Sequence, residues 1–476
     1  MLDKEKQTLH FRVLYPIYFM YFNLNFILWL YLNNLKLNFT KNKIINKQKN
    51  IGFWSSTSLV VGNMVGSGIF LLPATLALYG SISLIGWVFA SIGAILLAIV
   101  FGSLGRVAPN ITGGPYAYTK LGLGIFPGYL VAWGYWVSIW CTNAAIAVAL
   151  VGYLEVFFPF LNDTTYAIVT GLAVIWLFTW INSKPLKTVA LVQIVTTVLK
   201  VTPIFLIAIF GYFYIDSGNF KVPNLSGESD FSSITITTTA TLFAFLGMES
   251  ATITSSKIEN AQKTIRNSTI AGTFFTIVIY ITSSVVIMGI IPQGDLVNSN
   301  APFADAAALF WGDLAKYIVA GGAVIATLGA LNGWILIQGQ VPMAAANDNL
   351  FPKLFGKTNN NDSPIIGIIL SSSLASLVMG LNFSDGLVQA FTFMMNLSTL
   401  SVLTPYLLSS ISLIVLLKSM QNNYLKEEII SYLAIIFCVW VIFGSGIKVV
   451  LWGLFLLILG IPLYFLLNNE KNQNTG

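Results

Sequence analysis

Apolar runs of membrane-crossing length recur from residue 51 to residue 468, with short polar segments between them. A helix needs ~20 apolar residues to span the hydrocarbon of a bilayer. On that measure twelve spans are predicted, at 53–78, 82–105, 126–157, 164–182, 189–215, 233–256, 268–291, 315–341, 364–381, 386–416, 429–445 and 448–467. A weaker run lies at 14–32.

Two spans contain a stretch that does not suit a helix. The first reads Gly62-Asn63-Met64-Val65-Gly66-Ser67-Gly68-Ile69-Phe70. Glycine and serine are poor helix formers, so a break is expected there. Close helix packing through Gly62 and Gly66, at GxxxG spacing, would use the same residues. The sixth span separates these readings. It reads Phe243-Ala244-Phe245-Leu246-Gly247-Met248-Glu249-Ser250, a second glycine interruption that also carries a charge. Five spans lie between matching points of the two halves, and five is odd. The second half therefore enters the membrane from the opposite side. Interrupted spans at matching places in inverted halves point to a transport site at the midplane.

The expected fold is an all-α integral membrane protein of twelve transmembrane helices, with a five-plus-five inverted repeat and two C-terminal helices. Residues 51–217 form the first repeat, 231–417 the second and 428–468 the last two helices. Residues 1–50 are either an extra span or an extension outside the working protein. The 14–32 run resembles a signal anchor, and no small-residue cleavage site follows it.

Unwinding a helix frees N–H and C=O groups that lipid cannot satisfy. Those at Ser67, Gly68 and Ile69 would be N–H groups at a positive dipole end, suited to a carboxylate. Those near Asn63, Met64, Phe243 and Ala244 would be carbonyls, suited to an ammonium. A carboxylate receptor beside an ammonium receptor describes a site for a zwitterionic amino acid.

Charge placement orients the chain. With residue 51 in the cytoplasm, the inner loops and C-terminus hold twelve Lys and Arg residues and the outer loops only Lys221, Lys316 and Lys448. Basic residues favour the cytoplasmic side, so residue 51 and the C-terminus are placed there, in a multi-pass protein of the inner membrane. Composition agrees: of 476 residues 56% are hydrophobic and 9% charged, with mean hydropathy +0.79. A soluble domain carries about 25% charged residues. Two cysteines inside apolar runs exclude a disulfide scaffold, and the lone histidine, His10, removes histidine metal sites and relays from the membrane interior. The net charge of +6 is spread over short loops, so nucleic acid is not an expected partner.

The motifs GNMVGSGIFLLPA (62–74), GGPYAY (113–118), FLGMESA (245–251), EN-x-x-K-x-I-R (259–266) and the GW pair 333–334 together resemble the amino acid–polyamine–organocation (APC) transporters, closest to the arginine/agmatine antiporter branch. The resemblance covers residues 51–468. It implies the LeuT-like/APC fold with discontinuous helices 1 and 6, and alternating access around a central site. It assigns the backbone end of the substrate to Asn63, Ser67 and Gly68. It assigns a guanidinium to Asn143 and to the Trp334 ring, where a cation over Trp gains ~0.5–2 kcal/mol. Tyr135 matches a gating tyrosine and Glu249 a proposed pH sensor. Phe243 stands where the antiporter has a gating tryptophan, and Asn396 where it has serine, while Ser398 is retained. Asn347-Asp348-Asn349 replaces the usual Asp-Gly after span eight. Lys200 replaces a small apolar residue. In other branches a lysine there resembles a built-in sodium ion.

Lys200 and Glu249 are the ionisable residues well inside the predicted spans, and an unpaired charge there costs at least ~2.5–3.5 kcal/mol. Lys200 is either a structural ammonium tying spans together or a titrating group; Glu249 protonation is expected to gate turnover. Packing aromatics and interhelical hydrogen bonds remain open readings for Tyr135, Phe243, Trp334, Tyr406 and Asn143.

The function expected is secondary active amino acid transport, foremost antiport of cationic amino acids or their amines. The alternative is proton-coupled symport of neutral amino acids, favoured by Lys200 and Phe243. An intramembrane enzyme would need paired acids or histidines at a membrane face, and a channel would need a charge ring or filter; neither pattern is present in the sequence. No cofactor and no metal are expected. Partners are a small-molecule amino acid or amine, the lipid bilayer, and as further candidates protons and a second copy of the chain.

Overall fold

The computed structural model describes residues 52–109, 111, 113–184, 204–253, 255, 258–381, 386–420 and 424–473. The 14–32 run, Lys200 and most of the fifth predicted span lie outside these residues. The chain divides into two units, residues 1–48 with 419–421 and residues 49–418 with 422–476, and the described helices belong to the second.

The helices are α1 (Phe53–Met64), α2 (Ser67–Ala77), α3 (Ile82–Val107), α4 (Pro115–Leu123), α5 (Ile125–Glu155), α6 (Thr164–Asn182), α7 (Ile204–Tyr214), α8 (Asp230–Leu242), α9 (Ser250–Ile253), α10 (Ala261–Ile290), α11 (Pro302–Trp311), α12 (Asp313–Asn347), α13 (Ile365–Leu381), α14 (Leu387–Lys418), α15 (Leu425–Gly444) and α16 (Ile447–Gln473). Among the described residues, nine spans are long and apolar enough to cross a membrane, counting α1 with α2 as one. Helix is found within each of the twelve predicted runs.

Some boundaries differ from expectation. The seventh run begins at Ala261 rather than 268, and the eighth extends to Asn347 through Pro342. The first extension, residues 261–267, is polar; the second, 342–347, is a Pro-Met-Ala-Ala-Ala-Asn turn that continues the helix past its most apolar stretch. The GGPYAY motif leads into helix α4, its two glycines preceding the helix and Pro115 taking the first helical position. Proline suits that position because the N–H it lacks would have no helical partner.

Helix α5 is the axis of the bundle, with 94% of its membrane stretch buried, whereas α16 at the margin has 17%. Around α5 lie α12, α13, α14 and α6. A second group joins α1 to α10 and α3 to both α8 and α10. Helix α14 bridges the groups by packing on α5 and α3.

Serine and threonine are common in these cores, and many of their hydroxyls bond back to their own helix. In α8, Thr237, Thr238, Thr239 and Thr241 each donate to the carbonyl four residues back, at 2.7, 2.7, 3.0 and 2.7 Å. Such back-bonding lets a polar residue occupy an apolar helix. Small residues allow close approach: a Cβ at Gly86 of α3 would lie 2.3 Å from Thr237 Oγ1 and 2.9 Å from the Thr237 carbonyl carbon. Gly86→Val is expected to force α3 and α8 apart at a cost of about 1–3 kcal/mol. A thermal melt of the detergent-purified variant checks this, and a melting temperature equal to the parent's would contradict the close contact.

Candidate functional site

The two interrupted helices meet. Helix α1 ends at Met64, Val65 is extended (ψ 95°), and α2 begins at Ser67. Helix α8 ends at Leu242 and passes through a tight turn, Phe243–Phe245. Leu246 is then extended (ψ 137°), and Gly247 takes φ +100°, which side-chain-bearing residues rarely adopt. A Cβ at Gly68 would lie 3.2 Å from Ala244 Cα, and one at Gly247 would lie 3.0 Å from Asn63 Cβ. Glycine thus lets each break rest against the other.

Part of the freed polarity is paired. Asn63 Nδ2 donates to Ser250 Oγ at 2.8 Å, and Tyr280 Oη donates to the Met64 carbonyl at 2.7 Å. Ser250 Oγ in turn donates to the Gly247 carbonyl. Part is not. No side chain caps the N-terminus of α2, and Ser67 Oγ is buried without a hydrogen-bond partner among the described residues. A buried hydroxyl left unpaired costs ~1–3 kcal/mol, so a bound polar group has something to gain here.

These residues surround a small cavity lined by Asn63, Met64, Gly66, Ser67, Gly68, Thr142, Ile146, Phe243, Ala244, Leu246 and Trp334. Its free space is about 20 Å³, room for one water molecule. That space is too small for an amino acid in this structure. Six of the residues singled out from sequence line it: Asn63, Met64, Ser67, Gly68, Phe243 and Trp334. Ile69, Asn143, Asn396 and Ser398 do not. Ser398 stands behind the wall, its Oγ 2.6 Å from Thr142 Oγ1. Asn143 is fully buried and donates to Gln338 Oε1 at 2.7 Å. Asn396 Oδ1 is buried without a partner among the described residues.

Sequence reading missed Thr142 and Ile146. Their spacing of four puts them one above the other on α5, and this was the available signal. It also missed how Glu249 is held. The Glu249 side chain is wholly buried, accepting from Tyr135 Oη at 2.5 Å and from Tyr406 Oη at 2.8 Å. Among the described residues no cation pairs with it; the ion pairs there are Arg106–Glu427, Lys120–Asp348 and Lys316–Asp305, each with partly exposed side chains. Two hydroxyl donors take the place of a counter-ion. The carboxyl ties the broken sixth span to α5 and α14.

A profile described as amino acid permease matches residues 51–467. The chain belongs to that family. The cadaverine/lysine antiporter of Escherichia coli (strain K12) is 31% identical over 439 residues, covering 90% of this chain and 97% of that protein. The putrescine transporter of Haemophilus influenzae is 30% identical over 423 residues, covering 88% and 97%. The arginine/ornithine antiporter of Pseudomonas aeruginosa is 31% identical over 440 residues, covering 88% and 90%. The APC resemblance read from the motifs therefore holds over the span expected of it. The family and these relatives are transporters, and the apolar helices make this permease a multi-pass membrane protein.

The permease depends on Gly247 for both its backbone angle and its contact with Asn63. Gly247→Ala is expected to lose about 1–3 kcal/mol of stability to backbone strain. The purified variant should melt below the parent; a melt at the parent's temperature would mean that this turn is not strained by a side chain.

Proposed function

We propose that this permease is a secondary active antiporter of the inner membrane, exchanging cationic amino acids and their amines by alternating access. The carrying observation is the abutment of two broken helices around an unpaired Ser67 hydroxyl and an uncapped α2 N-terminus. That end suits a carboxylate. The carbonyls at the end of α1 and in the turn after α8 suit an ammonium, and the Trp334 ring forms the wall on which a side-chain cation can stack. The relatives named as arginine/ornithine and cadaverine/lysine antiporters support the same substrate class.

The architecture proposed is twelve helices with a five-plus-five inverted repeat over residues 51–217 and 231–417. The helix contacts support it. Exchanging spans one to five with spans six to ten turns the α1–α10 contact into the α8–α3 contact, and both occur. It turns the α5–α13 contact into the α12–α6 contact, and both occur. Residue 51 and the C-terminus are assigned to the cytoplasm on the distribution of Lys and Arg.

Coupling is assigned to Glu249. As a carboxylate it accepts from Tyr135 and Tyr406. Once protonated it becomes a donor, and one tyrosine must turn or release. Protonation therefore loosens the tie between the broken sixth span, α5 and α14. The rival reading, proton-driven symport of neutral amino acids, is favoured by Lys200 and by Phe243 in place of a tryptophan.

Counterflow in proteoliposomes decides between them. Labelled ornithine or arginine should enter only when the lumen holds an amino acid or amine; entry into empty liposomes driven by a pH gradient would establish the symporter instead. Glu249→Gln should flatten the pH profile of exchange, and an unchanged profile would remove Glu249 from coupling. Trp334→Leu should raise KM for a cationic substrate by 2- to 30-fold, the equivalent of about 0.5–2 kcal/mol. A KM equal to the parent's would make the indole a packing group.

A further inference from the structure

A chain of buried amides and hydroxyls runs behind the substrate wall. Asn143 on α5 donates from Nδ2 to Gln338 Oε1 on α12, at 2.7 Å. Gln338 Nε2 donates to the Ile368 carbonyl at 3.1 Å and to Ser372 Oγ at 2.7 Å, both on α13. Ser372 Oγ lies 2.6 Å from Thr179 Oγ1 on α6, and Thr179 donates to the Ile175 carbonyl at 2.8 Å.

The direction of this chain is settled at the Ile368 carbonyl. A carbonyl only accepts, so the Gln338 side-chain atom 3.1 Å from it is the amide nitrogen. The same nitrogen lies 2.7 Å from Ser372 Oγ and donates its other N–H there. Both N–H groups of Gln338 are thereby used, and its oxygen is turned to Asn143. Only the nitrogen of Asn143 can meet that oxygen. The Asn143 amide therefore has one orientation, with Oδ1 facing away from Gln338. Asn143 is fully buried, and this oxygen has no hydrogen-bond partner among the described residues. Its neighbour Thr142 lines the cavity, as does Trp334, one helical turn before Gln338.

We propose that Gln338 is a positioning residue for substrate selection: it keeps the Asn143 amide oxygen unpaired as a pure acceptor, next in the chain to the cavity-lining Thr142. When the site opens to admit a substrate, that acceptor favours side chains ending in N–H donors, an ammonium or guanidinium, over side chains whose far end carries a carbonyl. An asparagine free to turn would offer N–H as readily as C=O and would discriminate less. This inference rests on the proposed exchange of cationic substrates and adds the residue that sets their polarity.

The test is ornithine exchange in proteoliposomes, with glutamine as competitor, for the parent, Gln338→Met and Gln338→Glu. Gln338→Met removes the acceptor that anchors Asn143. It should raise KM for ornithine at least tenfold while maximal exchange stays within about twofold, and should lower the ornithine-to-glutamine preference at least tenfold. Gln338→Glu keeps an acceptor toward Asn143 in either protonation state and should retain the preference within about threefold. A preference unchanged in Gln338→Met, or lost in Gln338→Glu, overturns the proposal. Should Gln338→Met fail to yield a monodisperse protein, Gln338→Glu decides alone by the same criterion. A parent that exchanges no ornithine overturns the functional reading itself; a parent that does, with an indifferent Gln338→Met, overturns only the role of Gln338.

Discussion

Hydrocarbon offers no hydrogen-bonding partner, so a helix that opens inside a membrane must hand its peptide groups to something else. In this permease the handover is mutual. The break after Met64 and the break after Leu242 lie against each other, with Gly68 and Gly247 giving the space. Tyr280 takes the Met64 carbonyl, and Asn63 reaches across to Ser250. Ser67, whose hydroxyl has no partner among the described residues, lines the small cavity at the breaks. The proposed substrate is the partner that the protein withholds from itself.

The polar residues of the bundle obey the same constraint in two ways. Hydroxyls with no task beyond filling space bond back to their own helix, as along Thr237–Thr241. Groups that couple elements bond across helices instead. Glu249 reaches Tyr135 and Tyr406, and Asn143 reaches Gln338. Cross-helix bonds of this kind give a two-state element something to make and break. A carboxyl held by two hydroxyls changes partners on gaining a proton. An amide held by an amide fixes which of its atoms meets the neighbour and which is left without one.

Much of the site was legible in the chain because its residues break a rule that hydropathy imposes. Glycines and a serine at Gly62–Gly68 and a charge at Glu249 have no place in a lipid-facing helix, and so they announce themselves. Thr142, Ile146 and Gln338 were not legible. They sit in ordinary helical positions on α5 and α12, and the four-residue spacing of Thr142 and Ile146 is shared with many other pairs of the core. Ser398 matched a family position, but in this structure its hydroxyl is taken up by Thr142. The extensions of α10 and α12 were missed because backbone bonding continues these helices past the strongly apolar stretch that marks a span.

The sequence by itself determined that this chain lives in a bilayer, where its apolar runs lie and which two of them are interrupted. Each of these follows from transfer free energy and local backbone preference, which are sums over neighbouring residues. Only the tertiary structure decided that the two breaks touch, that Glu249 is held by two tyrosines, and that Asn143 turns its oxygen away from Gln338. Those relations join residues 114 to 195 positions apart. They depend on the directions in which donors and acceptors point, and direction exists only once the helices have packed.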